Sequence, residues 1–259
     1  MTTPVLTQMP PLQVDAEAGN PHTSGLYTAA NLLTLTEPTR LEGGTELTER
    51  NCGPHGRWST GCTTDEDNPE QELVAGVRPG RRYQPSFIVW ATDDCGLIGN
   101  SEQEARERSI QLQRLYEQID AEDATAEHLL AAAGTPATVP TGADPFADAV
   151  GAVEQALGLI GVNGVIHARR GLAAKAARYG LVVVGAGGKL TTPLGNTWAF
   201  GAGYGDLGNT IVGTGPVTVR RGTVDTLVVE GHRRNERTAV SQRTINVTWE
   251  CASFAQTVA

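Results

Sequence analysis

Two glycine-bearing stretches carry the residue types that handle phosphates. In "LVVVGAGGKLTTPLG", residues 181–195, valines lead into glycines, followed by a lysine and threonines. A phosphate cradle needs glycines so that the backbone can approach closely, and a helix start directly after them to present its amides. A dinucleotide fingerprint opening at Gly185 fails at its sixth position, which is Leu190. A Walker-type loop ending on Lys189 would need glycine at 183 and Ser or Thr at 190, where valine and leucine stand. Pro193 and the β-prone threonines then exclude a helix start. The second stretch, "GYGDLG" at 203–208, satisfies G-x-G-x-x-G, yet the strand-like "NTIVGTGP" follows it. Both read as glycine turns, the first reversing the chain tightly between Val184 and Leu190. A nucleotide-binding enzyme using residues 181–208 is the competing reading, and no cofactor is expected.

Hydrolytic chemistry finds little to work with. There are five histidines, and neither G-x-S-x-G nor H-E-x-x-H occurs. Only His167, at the end of "GVIHA", stands where an active site could lie, and a satisfied core or interface side chain is the reading preferred for it. Four cysteines, Cys52, Cys62, Cys95 and Cys251, form no C-x-x-C pair. "NCGPHGRWSTGC" leaves three readings open: thiols packed in a loop, a Cys52–Cys62 disulfide, or a metal held by Cys52, His55 and Cys62. No catalytic and no metal residues are assigned.

Arginines recur in pairs, Arg81-Arg82, Arg169-Arg170, Arg220-Arg221 and Arg233-Arg234, whereas Lys175 and Lys189 are the only lysines. The first three pairs are candidates for contacts between subunits, because the planar guanidinium suits bidentate pairing with carboxylates. The net charge of −9 argues against a nucleic-acid-binding surface over the molecule as a whole. Aromatic residues make up 5% of the 259, which is thin for a compact enzyme, and 31 glycines and 14 prolines add turns. That balance suits arms and loops buried against neighbouring copies. No apolar run is long enough to span a bilayer. Residues 1–20 lack the basic start and apolar segment of a signal peptide, so synthesis in a cytoplasm is expected.

The elements that position these residues follow from pattern. Residues 1–40 read as an extended arm, with a short helix around "TSGLYTAANLL". Two strands flank a polar excursion over 50–80 that holds "TTDEDNPEQE"; the return strand, Phe87–Thr92, is the stronger, and a projecting hairpin is expected. "SEQEARERSIQLQRLYEQID" opens with a Ser101/Glu104 capping box. Its apolar stripe is Ala105, Leu112, Leu115, Tyr116 and Ile119, and its Glu, Gln and Arg face is expected in solvent. Asp144 and Pro145 start a second helix with the core stripe Phe146, Val150, Val153, Leu157 and Ile160. The strand "GVIHA" precedes a third helix that Gly180 stops. Beyond it the chain is short β runs, with "HRRNERTAVSQRT" linking the last two. The class is α+β, not a repeating βαβ array.

This order of arm, hairpin loop, long helix, α/β segment and closing strands resembles the major capsid protein of tailed phages, the Hong Kong 97-type fold shared with encapsulins. The phrases "GVIHARRGLAAKAARYG", "KLTTPLGNTWAFGAGYG" and "NTIVGTGPVTVRRG" are similar to those of structural proteins of actinobacterial phages and prophages. The resemblance implies an N-terminal arm at 1–40, an extended hairpin loop at 41–95 that overlaps a neighbour, and a peripheral domain with spine helix at 96–144. An axial domain at 145–215 and peripheral return strands at 216–259 complete it. It also implies hexamers and pentamers of an icosahedral virion head, assembled in the host bacterial cytoplasm with no membrane. Packaged DNA would be held only nonspecifically, and a separate scaffold or decoration protein is expected, since the chain is short for the family. Two lysines make lysine–asparagine cross-linking an unpromising route to a stable shell. Another virion component, from the head–tail junction or the tail, is the alternative within this class.

Overall fold

A computed structural model describes residues 14, 16–36, 38–53, 55–56, 80–97, 101–138, 144–251 and 253–258. The arm before Val14, the acidic run and Cys62 lie outside the described residues. Among the described residues the first element is one helical turn, α1 (Leu26–Ala29), followed by β1 (Asn31–Thr34) and α2 (Pro38–Glu42). The antiparallel pair β2 (Thr45–Thr48) and β3 (Arg81–Gln84) forms the stem of the excursion. After β4 (Phe87–Gly96) comes α3 (Glu102–Ala133), 32 residues long and capped by Ser101 Oγ, which accepts from the Glu104 amide at 3.0 Å. β5 (Ala137–Thr138) follows it.

The α/β segment comprises α4 (Pro145–Leu159), β6 (Val165–Arg169), α5 (Ala173–Arg178), β7 (Val183–Val184), β8 (Leu190–Thr191) and β9 (Thr197–Gly201). The chain closes with β10 (Thr210–Thr214), β11 (Val217–Arg221), β12 (Asp225–Gly231), β13 (Glu236–Trp249) and β14 (Phe254–Thr257).

Two sheets result. In the first, β13 is the hub: its start lies between β4 and β12, its end pairs with β11, and β1 joins β11 in parallel. The second has the order β5-β14-β10-β6-β9-β8-β7. α3 packs on the first sheet, and α4 and α5 cover the second, where Phe146, Val150, Val153 and Leu157 are buried as their spacing predicted. Ile160 is partly buried at the same core.

Four expectations change. Only residues 232–235 of "HRRNERTAVSQRT" form a link, a turn between β12 and β13; from Glu236 onward the stretch is β13, whose polar residues are held by strand pairing on both sides. Asp144 stands at the N-cap of α4 but its side chain makes no capping bond. The last strand, β14, pairs with β10 in the second sheet and does not return to the first. The crossing occurs at Cys251, whose φ of 66° makes the corner. The stripe expected to bury α3 is also displaced: Tyr116 is exposed, and the buried face instead carries Ser109, Gln113, Glu117 and Glu122 beside Ala105, Ala121 and Leu129.

Candidate functional site

Two carboxylates on the buried face of α3 fasten the molecule together. Glu117 accepts from the Tyr27 hydroxyl (3.0 Å) and Arg221 (3.1 Å) on Oε1, and from Gln113 (2.7 Å) and Arg243 (2.7 Å) on Oε2. The Arg221 guanidinium also lies over the Tyr27 ring, 5.3 Å from its centroid. One carboxylate thus joins α3 to α1, β11 and β13. A buried carboxylate is tolerated only with such charge-assisted bonds. Burial and the neighbouring Glu117 push the Tyr27 hydroxyl well above its ordinary pKa, so it serves as a donor.

Glu122 does the same for the other half of the chain. Its Oε1 accepts from the Leu26 amide (2.9 Å) and Gln118 (3.0 Å), and its Oε2 from the Gly203 amide (3.0 Å). Burial raises its pKa above the ordinary carboxyl value, and the amides of Gly203 and Leu26 and the Gln118 side chain pull it back. Gln118 also meets His22 at 2.8 Å, Arg170 donates to the Thr23 carbonyl (3.3 Å), and the Phe200 amide donates to the Ser24 carbonyl (2.9 Å). The arm around residues 22–30 is therefore clipped to α3 and to β9. A Cβ on Gly203 would sit 2.0 Å from the Ile119 carbonyl, so only glycine brings this amide onto the helix. The "GYGDLG" phrase is a cradle after all, for a carboxylate of the same chain.

His167 is fully buried between Tyr204 and Thr214. The Thr214 hydroxyl donates to the Gly215 carbonyl (3.0 Å), so it accepts from His167 Nε2 (3.1 Å), and Nδ1 accepts from the Tyr204 hydroxyl (2.8 Å). This network assigns the neutral Nε2–H tautomer. Burial lowers the His167 pKa from its ordinary 6.5 to about 3. The folded state then binds this proton more weakly than the unfolded chain. Stability is unaffected by His167 above pH 6.5 and falls as pH drops from 6.5 toward 3. By pH 4.5 the loss is about 3 kcal/mol at about 1.4 kcal/mol per pH unit. Urea unfolding at pH 7 and pH 4.5 should show His167→Gln losing less than the wild type over this interval by roughly that amount.

The other expected site residues are dispersed. Arg81 pairs with Glu46 (3.1 Å), and Arg82 with Glu49 (3.3 Å) and the Trp249 carbonyl. Arg169 donates to Asn209 (2.7 Å) and Arg220 to Thr248 (2.8 Å). Cys52 is bonded to Cys251, a partner 199 residues away, instead of Cys62. That bond also removes the thiolate a metal would need from Cys52. Residues 181–195 form a β turn: β7 pairs with β8, and Gly187 and Gly188 have φ of 70° and 77°. No helix among the described residues is long and apolar enough to cross a membrane.

One surface has no cover among the described residues. The face of the first sheet turned away from α3 carries Ile88 and Trp90 of β4 with Leu227 and Val229 of β12, exposed by 53%, 60%, 51% and 61%. The registers Trp90↔Gln242, Val240↔Thr92 and Leu227↔Val240 place them on one side, since in-register neighbours share a face. Ser241, facing the other way, bonds Ser109 of α3 at 2.8 Å.

No protein-family model matches the sequence, and no curated protein does. Solved structures match over nearly the whole chain. The capsid of a native GTA particle is 13% identical with a TM-score of 0.55, over 97% of this chain and 95% of that one. Mycobacterium phage Adephagia gives 14% and 0.54, over 95% and 94%. A virus-like particle from Pyrococcus furiosus gives 10% and 0.53, over 90% and 91%. The fold is that of Hong Kong 97-type capsid proteins, an α+β architecture.

Proposed function

We propose that the chain is the structural subunit of an icosahedral shell, the major capsid protein of a phage or prophage head that encloses DNA, and that it catalyses nothing. The observation that carries this is an apolar sheet face that none of the described residues covers, on a capsid-type fold. Four large apolar side chains on adjoining strands are an expensive surface to leave in water, and a neighbouring subunit is what would cover them. In this reading residues 41–95 reach over a neighbour, and 145–215 meet around the centre of each hexamer or pentamer. Exposed Arg81, Arg169 and Arg170 stand free enough to exchange their present partners for a neighbour's carboxylates. The particle forms in the bacterial cytoplasm, with a separate scaffold where the chain alone does not close. Closed symmetry repeats each modest contact many times, which holds a shell together without great subunit stability.

Negative-stain microscopy and sedimentation of the purified chain at increasing concentration should show rings or closed particles. A chain that remains monomeric at every concentration, and binds ATP or NAD at micromolar levels, would overturn the proposal in favour of the enzyme reading.

A further inference from the structure

The root of the excursion is tied down twice. Polar contacts form the first tie. Arg82 of β3 pairs with Glu49 at 3.3 Å, donates to the Trp249 carbonyl and lies over the Trp249 ring at 5.6 Å. Thr45 of β2 donates to Asn246 Oδ1 at 2.9 Å, and Asn246 in turn donates to the Gln84 and Pro85 carbonyls, each at 3.1 Å. The second tie is covalent, Cys52 to Cys251, with Cα atoms 5.6 Å apart. Cys251 sits at the corner where the chain leaves the first sheet for the second. Next to it, a Cβ on Gly215 would meet the Glu250 carbonyl at 2.4 Å, so the corner is closely packed. The bond therefore joins three bodies: the excursion stem, β13 and β14.

We infer that Cys52 and Cys251 form a redox-conditional clamp on the excursion, open as two thiols where the chain is made and closed as a disulfide in an oxidising medium. The polar contacts hold the stem on the end of β13 whether or not the sulfurs are bonded, so the thiols stand ready beside each other. Such an intramolecular closure has a high effective concentration. A reducing cytoplasm keeps thiols apart, and a medium containing a disulfide oxidant such as glutathione disulfide closes them. Cys52 is partly exposed and Cys251 is buried, which fixes the order of events. The Cys52 thiol loses its proton to water, and its thiolate attacks glutathione disulfide, releasing one glutathione thiolate. The Cys251 thiolate then attacks the Cys52 sulfur of the mixed disulfide and releases the second. Two protein thiols are oxidised, one glutathione disulfide is reduced to two glutathiones, and the protons end in solvent.

The clamp changes what the stem can do. Open, the stem holds on β13 by hydrogen bonds and by the Arg82 guanidinium over the Trp249 ring, which local opening breaks readily. Closed, residues 49–53 cannot leave β13 without unfolding the corner at Cys251. The use of this for locking a finished shell rests on the capsid reading, whereas the clamp itself belongs to the single chain and is tested there.

The purified full-length chain is equilibrated in reduced glutathione or in glutathione disulfide. Peptide mapping then assigns the linkage, and limited proteolysis at the stem residues 49–53 and 80–84 gives the stem's opening rate. A Cys52–Cys251 linkage is expected only in the oxidised sample, with cleavage slowed about tenfold. Cys52→Ser should cleave at the reduced rate in both media, and Cys95→Ser, which removes the free thiol on β4, should behave as wild type. Reducing and reoxidising the wild-type chain gives the same comparison should Cys52→Ser fold poorly. A Cys52–Cys62 linkage, or equal cleavage rates in the two media, would overturn the clamp. Neither result depends on whether particles form, so a failed clamp and a failed capsid reading remain distinguishable.

Discussion

Glu117→Ala is expected to cost about 4 kcal/mol of folding stability, because removing one partner strands charges that were buried to meet it. Arg221 and Arg243 would each lose a charge-assisted bond at 3.1 and 2.7 Å, and the Tyr27 hydroxyl its acceptor. Those guanidinium side chains are only 22% and 16% exposed, so water replaces little of the loss. For a domain of this size the melting temperature should fall by roughly 10 °C. Glu117→Gln keeps the shape and an acceptor but drops the charge, and should lie between. A double-mutant cycle with Arg243→Ala separates this account from simple cavity formation. A coupling energy of about 2 kcal/mol is expected, and strict additivity would show that the ion pair contributes nothing.

The second large effect spares the subunit and removes the assembly. Trp90→Glu changes a side chain that is 60% exposed, on a strand face that none of the described residues covers. Its cost to folding should stay within about 1 kcal/mol, the span of strand propensity. Where a neighbour covers the face, the new carboxylate would be desolvated without a partner, at a cost of several kcal/mol per contact. Since every subunit repeats the fault, closed particles should be lost altogether. Circular dichroism and thermal melting would show the wild-type fold, and sedimentation would show only small species. Particles in wild-type yield from Trp90→Glu would remove the sheet face from the interface.

The two carboxylates of α3 and the sheet face divide the labour. Glu117 and Glu122 hold the arm, both sheets and the glycine loop as one subunit. In the proposed shell, the face that α3 leaves open is where another copy would pack. On that proposal, opposite sides of the same first sheet set the stability of the part and the association of the parts.

Elements whose burial follows from their own residues were legible without coordinates. The apolar stripe of α4 could face nothing but a core. Ser101 with Glu104 marked the start of α3, Gly180 ended α5, and Pro193 denied the first glycine run a helix. With no nucleophile or metal-binding motif beside it, His167 pointed to a satisfied core or interface side chain, and it is buried between Tyr204 and Thr214. The order of elements carried the fold class, since arm, hairpin, long helix and closing strands cannot be threaded as a repeating βαβ array.

Tertiary structure alone decided which polar residues are inside. The Glu- and Gln-rich face of α3 looks solvated in sequence because its partners are remote: Tyr27 is 90 residues from Glu117, Arg221 104 and Arg243 126. A carboxylate's burial is set by the donors that meet it, and local sequence is silent on those. The same holds for Cys52, whose near neighbour in sequence is Cys62 but whose neighbour in space is Cys251. It holds too for "GYGDLG", where sequence showed that glycine was required but not whose anion its amide would meet. Patterns of apolar spacing record a residue's own preference for water. Pairing of charge, thiol and amide records a meeting between distant segments, and only the folded chain arranges that.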